Sequence, residues 1–204
     1  MISEFKTGPQ ILGDGTQITA RAGRTGEVSV ADAHARYQEA VMRGSVYCAA
    51  NTAAQALSLG SATATGLILS NPAGSSKNLV ILEITSYIAA AVTAVANVAL
   101  FVNKNAAAAT TVHTTVITPT NALIGGSTGV GLVDSAATLP AVPSLVRSIF
   151  GWSWAATSTS AFQLGVKDEV AGAIILLPGT TLSIQGVTVA HSVISSITWE
   201  EVVS

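Results

Sequence analysis

The chain has 204 residues, of which 49% are hydrophobic and only 10% are Asp, Glu, Lys or Arg, against about 25% charged residues in ordinary soluble domains. The formal net charge of −2 provides no basic field for a nucleic-acid backbone, so no nucleic-acid partner is expected. The one cysteine, Cys48, cannot form a disulfide within the chain, so packing must stabilise the fold. The length suits one all-β domain or two small ones.

Charge is distributed unevenly along the chain. Residues 1–47 contain ten of the twenty charged side chains, and the remaining 157 residues share the other ten. This division predicts two parts: a charged N-terminal arm over 1–47, and a body over 48–204 that is built mainly from Ala, Thr, Val, Ser, Gly, Leu and Ile.

Two elements are predicted in the arm. Residues 13–16, GDGT, have the composition of a tight turn. A short helix is predicted over 30–43, because Ser29 and Asp32 can cap its first turn and Gly44 can end it. Its apolar face would consist of Val30, His34, Tyr37 and Val41.

The most apolar segment, residues 79–102, is long enough for a membrane span of about 20 residues. Glu83 lies inside this segment, and Lys77 and Lys104 flank its two ends alike, so no transmembrane helix is expected. The alternation of apolar and polar residues instead predicts two strands, which we expect to pair with each other. In the first strand Val80, Leu82, Ile84 and Ile88 face one way and Glu83, Thr85 and Tyr87 the other, and in the second Val98, Leu100 and Val102 lie opposite Asn97 and Asn103.

The last third of the chain repeats this pattern with clear turn signals. An apolar run over 173–177 leads into the turn Pro178-Gly179, and a second strand is predicted over 181–185. The terminal VISSITWEEV predicts a further strand, in which Val193, Ile197 and Trp199 alternate with Ser196, Thr198 and Glu200. Together these signals predict an all-β fold, an antiparallel jelly-roll-like β-sandwich that follows an N-terminal arm with a short helix.

No segment has the spacing of a catalytic or metal site. His34, His113 and His191 stand in separate segments, without the spacing of metal-ligating histidines. Ser127, in the glycine-rich loop GGSTGVG, is the nearest match to a serine-nucleophile turn, but its second glycine is displaced and no helix pattern follows. We therefore expect no enzymatic activity, no cofactor, no metal and no small-molecule substrate.

Two acidic pairs and the cysteine are interpreted as structural. Neighbouring side chains in Asp168-Glu169 and in Glu200-Glu201 point to opposite faces of a strand, so neither pair forms a glycosidase dyad by itself. A dyad with one member from each pair stays open, and solvated strand edges are the favoured role. Cys48 is interpreted as an inert buried thiol.

Two tryptophans, Trp152 and Trp154, share one face of a predicted strand in GWSWAA. Large aromatic side chains dominate the energetics of interfaces, so a core or subunit-interface anchor is the favoured interpretation. A platform on which carbohydrate stacks is the alternative.

The arm resembles the N-terminal segment of a group of tailed-bacteriophage virion proteins. The resemblance rests on RAGRTGE at 21–27, HARYQEA at 34–40 and GSVY at 44–47. The stretch ILLPGTTLSIQ and the terminal ITWEEV are similar to the close of the same proteins, where a Pro-Gly turn and a Trp-x-Glu strand complete a jelly roll. The likeness covers the first fifty and the last forty residues, and the Ala/Thr-rich middle is not distinctive.

This resemblance implies a head cement or decoration protein, or a related minor structural component, that works without a cofactor. Its partners would be the major capsid protein and further copies of itself, with a homotrimer suited to a threefold position of the shell and no membrane involved. It would lie on the phage head surface after synthesis in the host cytoplasm, and the first ten residues lack the apolar run of a secretory signal. The arm residues predicted to make capsid or subunit contacts are Arg21, Arg24, Glu27, Asp32, Arg36, Tyr37, Glu39 and Arg43.

Two alternatives from other classes stay open. The first is a receptor-binding or fibre-tip domain that recognises host surface glycan through Trp152 and Trp154. The second is a polysaccharide-degrading enzyme built on the same sandwich.

Overall fold

The computed structural model describes residues 35–90, 94–104, 111–152 and 165–204. Internal contacts divide the chain into two compact units, Met1–Glu39 and Ala40–Ser204, and the second is built almost entirely from β-strands. The elements are α1 (Gln38–Met42), β1 (Val46–Ala50), β2 (Gln55–Ala56), β3 (Thr63–Ser70), β4 (Lys77–Ile88), β5 (Ala96–Lys104), β6 (Val112–Ile117), β7 (Thr120–Asn121), β8 (Leu132–Thr138), β9 (Ser144–Trp152), β10 (Gly165–Glu169), β11 (Ile175–Leu176), β12 (Thr180–Gly186) and β13 (Ser192–Val203).

Two antiparallel sheets form the body. The first has the order β10-β4-β13-β1-β7, with β11 beside β4 and β2 beside β13, and the second has the order β6-β8-β3-β12-β5-β9. The chain crosses from the first sheet to the second between β4 and β5, and it returns between β12 and β13, which pair with β5 and β4 respectively. This crossing of a paired ribbon makes the sandwich jelly-roll-like, and the predicted all-β class is confirmed. No helix in the described part of the chain is both long and apolar enough to cross a membrane.

The hydrophobic core lies between the two sheets. Alternate side chains of the central strands enter it, and Trp199 of β13, Leu100 of β5 and Ile81 of β4 are completely buried. The Trp199 ring stacks on Tyr47 of β1, with ring centroids 6.0 Å apart and an interplanar angle of 27°. Since each large apolar side chain stabilises the fold by about 1.5–3 kcal/mol when fully buried, packing alone provides the framework that a disulfide would otherwise supply.

The inward face of β4 changes phase along the strand. Leu79 and Ile81 point into the core at its start and Ile84 does so further on, whereas Val80 is only partly buried. The register against β13 shifts at Leu82, which has no residue opposite it and forms a β-bulge. The prediction that Val80 shares the inward face with Ile84 is therefore wrong, because an inserted residue reverses the alternation.

The two strands predicted within residues 79–102 do form, but they do not pair with each other. β4 belongs to the first sheet and β5 to the second, and both direct apolar side chains into the same core from opposite sides. The predicted pairing is wrong because the connection after Ile88 carries the chain across the sandwich and does not turn it back as a hairpin.

The predicted strands of the last third are confirmed. Gly179 has φ +83° in the predicted Pro178-Gly179 turn, which takes the chain from β11 in the first sheet to β12 in the second. β13 lies between β4 and β1, with Val193, Ile197 and Trp199 facing the core as predicted.

The predicted arm helix is shorter than expected where the structure describes it. The backbone N–H of Ala35 donates to Gln38 Oε1 at 3.2 Å, which is one half of a capping box, and residues 35–37 form the turn that precedes α1. The prediction of helix over 35–37 is wrong for this reason, and residues 29–34 lie outside the described residues.

The predicted end of this helix at Gly44 is confirmed. Gly44 has φ +70° and its N–H donates to Val41 O at 2.8 Å, while Ser45 N–H donates to Ala40 O at 3.1 Å. These two bonds form a Schellman motif, which favours glycine because the residue after the helix must adopt a left-handed conformation.

Candidate functional site

A buried carboxylate, that of Glu201, lies near the end of β13 against the loop formed by residues 122–131. Its Oε1 accepts hydrogen bonds from the backbone N–H groups of Val130 at 2.7 Å and Gly131 at 3.0 Å, and from Trp199 Nε1 at 3.5 Å. Its Oε2 accepts from Lys77 Nζ at 3.0 Å, and the Glu201 side chain is only 1% exposed. Since both oxygens accept hydrogen bonds and the side chain is buried, this carboxylate serves as an anchor for the loop.

Two glycines allow the loop to approach this anchor. A Cβ at Gly129 would overlap Glu201 Oε1 and come within 3.0 Å of the Tyr47 ring, and a Cβ at Gly131 would lie 3.1 Å from the Trp199 ring. Close packing of backbone on ring therefore requires glycine at 129 and disfavours any side chain at 131.

The same loop presents an apolar tip that is held by hydrogen bonds at its base. Asn121 Oδ1 accepts from Leu123 N–H at 2.8 Å, and Asn121 Nδ2 donates to Ser127 O at 3.0 Å. Gly126 N–H donates to Leu123 O at 2.7 Å, which closes a turn around Ile124. Leu123 is 42% exposed and Ile124 is 83% exposed, so two large apolar side chains project from a loop of defined conformation.

A second buried carboxylate, that of Asp134, lies on β8 and pairs with a histidine of the neighbouring strand β6. His113 Nδ1 is 2.5 Å from Asp134 Oδ2, and the Asp134 side chain has no exposure while that of His113 is 28% exposed. Asp134 Oδ1 has no hydrogen-bond partner in the described structure. Burial raises the pKa of the Asp134 carboxyl, and the hydrogen bond and charge of His113 lower it in part.

This pair has the geometry in which a carboxylate orients a histidine, as in the base half of a catalytic triad. No serine or cysteine side chain in the described residues has a hydrogen bond to His113. The arrangement therefore holds the edge strand β6 against β8 and lacks an identified nucleophile.

The sequence prediction treated His113 as an isolated residue, and only the register of β6 on β8 brings the two side chains together. One signal could have found the pair: Asp134 is the single charged residue between Lys104 and Arg147, and it stands inside an apolar strand pattern. A lone acid in such a strand indicates a buried, partnered carboxylate.

An ion pair joins the edge strands of the two sheets at one side of the sandwich. Arg147 of β9 and Asp168 of β10 point inward beside core residues, and an Arg147 Nη atom donates to Asp168 Oδ1 at 2.7 Å across the opening between the two sheets. On the outer face of β10, Lys167 Nζ lies 2.8 Å from Glu83 and 3.4 Å from Glu169, and the hydrogen bond to Glu83 raises the pKa of Lys167.

The two acidic pairs of the sequence therefore have different surroundings. Glu169 lies on an exposed edge as predicted, but Asp168 points inward to Arg147. Glu200 is partly buried and accepts from Ser45 Oγ at 3.1 Å. The predicted role at a solvated strand edge is wrong for both Glu200 and Glu201, because β13 lies inside the sheet between β4 and β1.

The remaining histidine and the cysteine have local partners. His191 is buried, and its Nδ1 lies 2.9 Å from Val189 O. Cys48 is partly buried, its Sγ lies 3.6 Å from Thr120 O, and burial raises the pKa of the thiol. Within the described ranges no three His, Cys, Asp or Glu side chains come together as a metal site.

The predicted contact residues of the arm are only partly described. Arg21, Arg24, Glu27, Asp32 and also His34 lie outside the described residues. Arg36 lies over the ring of Tyr37, with its guanidinium carbon 5.4 Å from the ring centroid, a cation–π contact. Glu39 belongs to α1, and Arg43 directly follows it. The capsid and subunit contacts of these residues stay predictions.

The tryptophan platform also stays a prediction. The backbone of Trp152 ends β9 opposite Ala96, and Trp154 lies outside the described residues.

The comparisons with known proteins identify no relative. No protein-family model matches the chain, and neither the curated proteins nor the solved structures contain a match.

Proposed function

We propose that this protein is a virion structural component of a tailed bacteriophage: a cement or decoration protein that binds the outside of the head as an oligomer and stabilises it. The proposal is supported by the resemblance of the arm and the C-terminal strands to such proteins, and by a jelly-roll-like body of the kind they are built on. The structural observation that supports the proposal most is the placement of charged and large apolar side chains in the body.

The described body uses its charged side chains mainly for internal contacts. Lys77 pairs with the buried Glu201, and Arg147 pairs with Asp168 between the sheets. Large apolar side chains are exposed instead, among them Ile124 at 83%. Other large apolar side chains that are exposed on the described body are Val112, Val116, Val142, Leu145, Val146, Ile175, Leu177 and Val203. A surface of this composition suits a protein whose working state is an assembly, since partners cover apolar area that water would otherwise contact.

The titratable groups of the described body fit a binding role better than catalysis. Glu201 holds a loop, Asp134 holds an edge strand through His113, and Asp168 holds the two sheets together. These three buried or partly buried carboxylates are therefore engaged in structural contacts, and the protein is proposed to act without enzymatic chemistry, cofactor or small-molecule substrate.

The proposed partners are the major capsid protein and further copies of this chain, with a homotrimer as the proposed oligomer. In the arm, arginines alternate with acidic residues, so charge-assisted hydrogen bonds to a mixed-charge capsid surface are the proposed mode of attachment. The body would then contribute the contacts between copies.

Attachment can be tested with purified particles and full-length protein. The protein is added to particles prepared without it, and binding is measured by co-sedimentation. The double variant Arg21→Glu, Arg24→Glu reverses two arm charges and should no longer co-sediment. The control Lys104→Glu, on an exposed end of β5, should bind as the wild type does. A particle reconstruction should place the subunit on the outer head surface. A location on the tail, or a protein missing from particles, would refute the proposed function.

A further inference from the structure

The edge strand β6 is held to the body by few side chains. Within the described residues it pairs with β8 alone, and four of its six side chains are exposed. The two that are partly buried lie near opposite ends of the strand: Ile117 packs against the hydrophobic core, and His113 bonds Asp134. Among the described contacts, His113 is therefore the only side chain of β6 that makes a polar bond to a side chain of β8.

The backbone ladder between β6 and β8 is irregular where this bond forms. The register shifts between His113 and Thr115, and it shifts again between Thr115 and Val116. An irregular register disrupts a ladder locally, because an inserted residue is left without a partner on the facing strand. The side-chain bond of His113 therefore contributes a larger share of the contact here than it would beside a regular ladder.

The strands around Asp134 offer its carboxylate one possible counter-charge. Residues 105–133 contain no Asp, Glu, Lys or Arg, β8 has Asp134 as its single titratable residue, and neither β3 nor β12 has any. The Asp134 side chain is completely buried, and its Oδ1 has no hydrogen-bond partner in the described structure. An ionised carboxylate in such surroundings is costly unless the group that bonds it is charged as well. On these four strands only His113 can supply that charge.

We propose that His113 and Asp134 form a pH-sensitive latch that fastens β6 to β8. Histidine is the side chain whose charge ordinarily changes between about pH 5 and 8, and His113 is 28% exposed, so its ring can exchange a proton with water. With a protonated ring the bond joins opposite charges, and charge-assisted bonds are roughly twice as strong as neutral ones. When the ring loses this proton, Nδ1 can still donate, but the buried carboxylate is left without a counter-charge. The latch is therefore strong at mildly acidic pH and weakens as pH rises through the range in which the ring titrates.

Hydrogen exchange of the full-length protein at about pH 5.5 and about pH 8 tests the latch, with rates corrected for the pH dependence of the exchange chemistry itself. Protection of the backbone amides in 112–117 should fall about fivefold between the lower and the higher pH, because a hydrogen bond to a charged group stabilises more than a neutral one. The amides of β12, at the centre of the same sheet, are the internal control and should show no such fall.

Two variants isolate the charge on each side of the bond. His113→Gln keeps a neutral donor on β6, and Asp134→Asn removes the buried charge from β8, so each should make the protection of β6 equal at both pH values. His191→Gln is the matched control, because His191 bonds Val189 O and not a carboxylate, and it should leave the pH dependence of β6 unchanged. Circular dichroism of each variant verifies the fold.

Three outcomes overturn the latch: equal protection of β6 at both pH values in the wild type, a pH dependence that persists in either variant of the pair, or a fall of the same size in β12. Persistence in His113→Gln would assign the effect to Asp134 alone, and a fall in β12 would assign it to the whole sandwich. The latch is independent of the proposed function, because the contact lies within one chain and attachment to heads is measured separately.

Discussion

The two most deeply buried carboxylates of the described body are satisfied very differently. Glu201 accepts hydrogen bonds from two backbone amides and from Lys77, so both of its oxygens are engaged. Asp134 has His113 on one oxygen and nothing on the other. Burial of a charge is costly in both places, but the hydrogen bonds to Glu201 engage both of its oxygens, whereas the bond from His113 offsets the cost at Asp134 only in part. The region around Glu201 should therefore depend on its carboxylate for stability, while the region around Asp134 should tolerate the loss of charge.

The largest expected effect is at Glu201. Glu201→Ala leaves two buried amides and a lysine without their acceptor, so the free energy of unfolding should fall by about 3–5 kcal/mol. Urea denaturation measures the change. The neighbouring Glu200→Ala serves as the control and should cost about 1 kcal/mol or less, because Glu200 is only partly buried and bonds one hydroxyl. Equal losses in the two variants would show that the anchor has no special role.

A smaller loss of stability is expected when an added side chain keeps the loop away from the Glu201 carboxylate. Gly129→Ala places a methyl group against Glu201 and the Tyr47 ring, and the strain should cost about 1–3 kcal/mol. Gly74→Ala is the matched control, because no heavy atom lies within 4 Å of its added methyl group. Thermal unfolding of both variants distinguishes a packing constraint at 129 from a general effect of replacing glycine.

Removing the lysine at the anchor should have a moderate effect. Lys77→Met deletes the bond to Oε2 but leaves both amides on Oε1, so we expect a loss of about 1–2 kcal/mol, less than for Glu201→Ala. Because the Lys77 side chain is 34% exposed, the loss should shrink as salt is added. If Lys77→Met lost as much stability as Glu201→Ala, the ion pair, and not the backbone amides, would hold the loop.

The smallest expected effect is a change in pH dependence at Asp134. Its pKa in the folded protein is raised above the ordinary value of 3.8, so the folded state binds the proton more tightly than the unfolded state. The stability contributed by this proton is present below pH 3.8 and is lost as pH rises through the folded pKa. Asp134→Asn should therefore gain stability relative to the wild type between about pH 3.5 and 7, measured by urea denaturation across that range. Parallel curves for the two proteins would contradict the assignment of an incompletely compensated burial cost to this group.

The sequence was sufficient for predictions that depend on neighbouring residues. The alternation in 193–199 placed three side chains of β13 in the core, and the preferences of glycine identified the helix end at Gly44 and the turn at Gly179. It was not sufficient for the anchor at Glu201, because that carboxylate gains its partners from a loop seventy residues earlier in the chain. Nor could it show that one inserted residue, Leu82, reverses the faces of β4.

A β-rich body with few charges and a charged N-terminal segment could be predicted from the amino acids, since composition and a period of two residues are properties of the chain alone. Which strands share a sheet and which acids are buried became visible only in the folded protein. These outcomes depend on partners that lie far apart in the chain, and the register that joins them is set by packing of the whole sandwich.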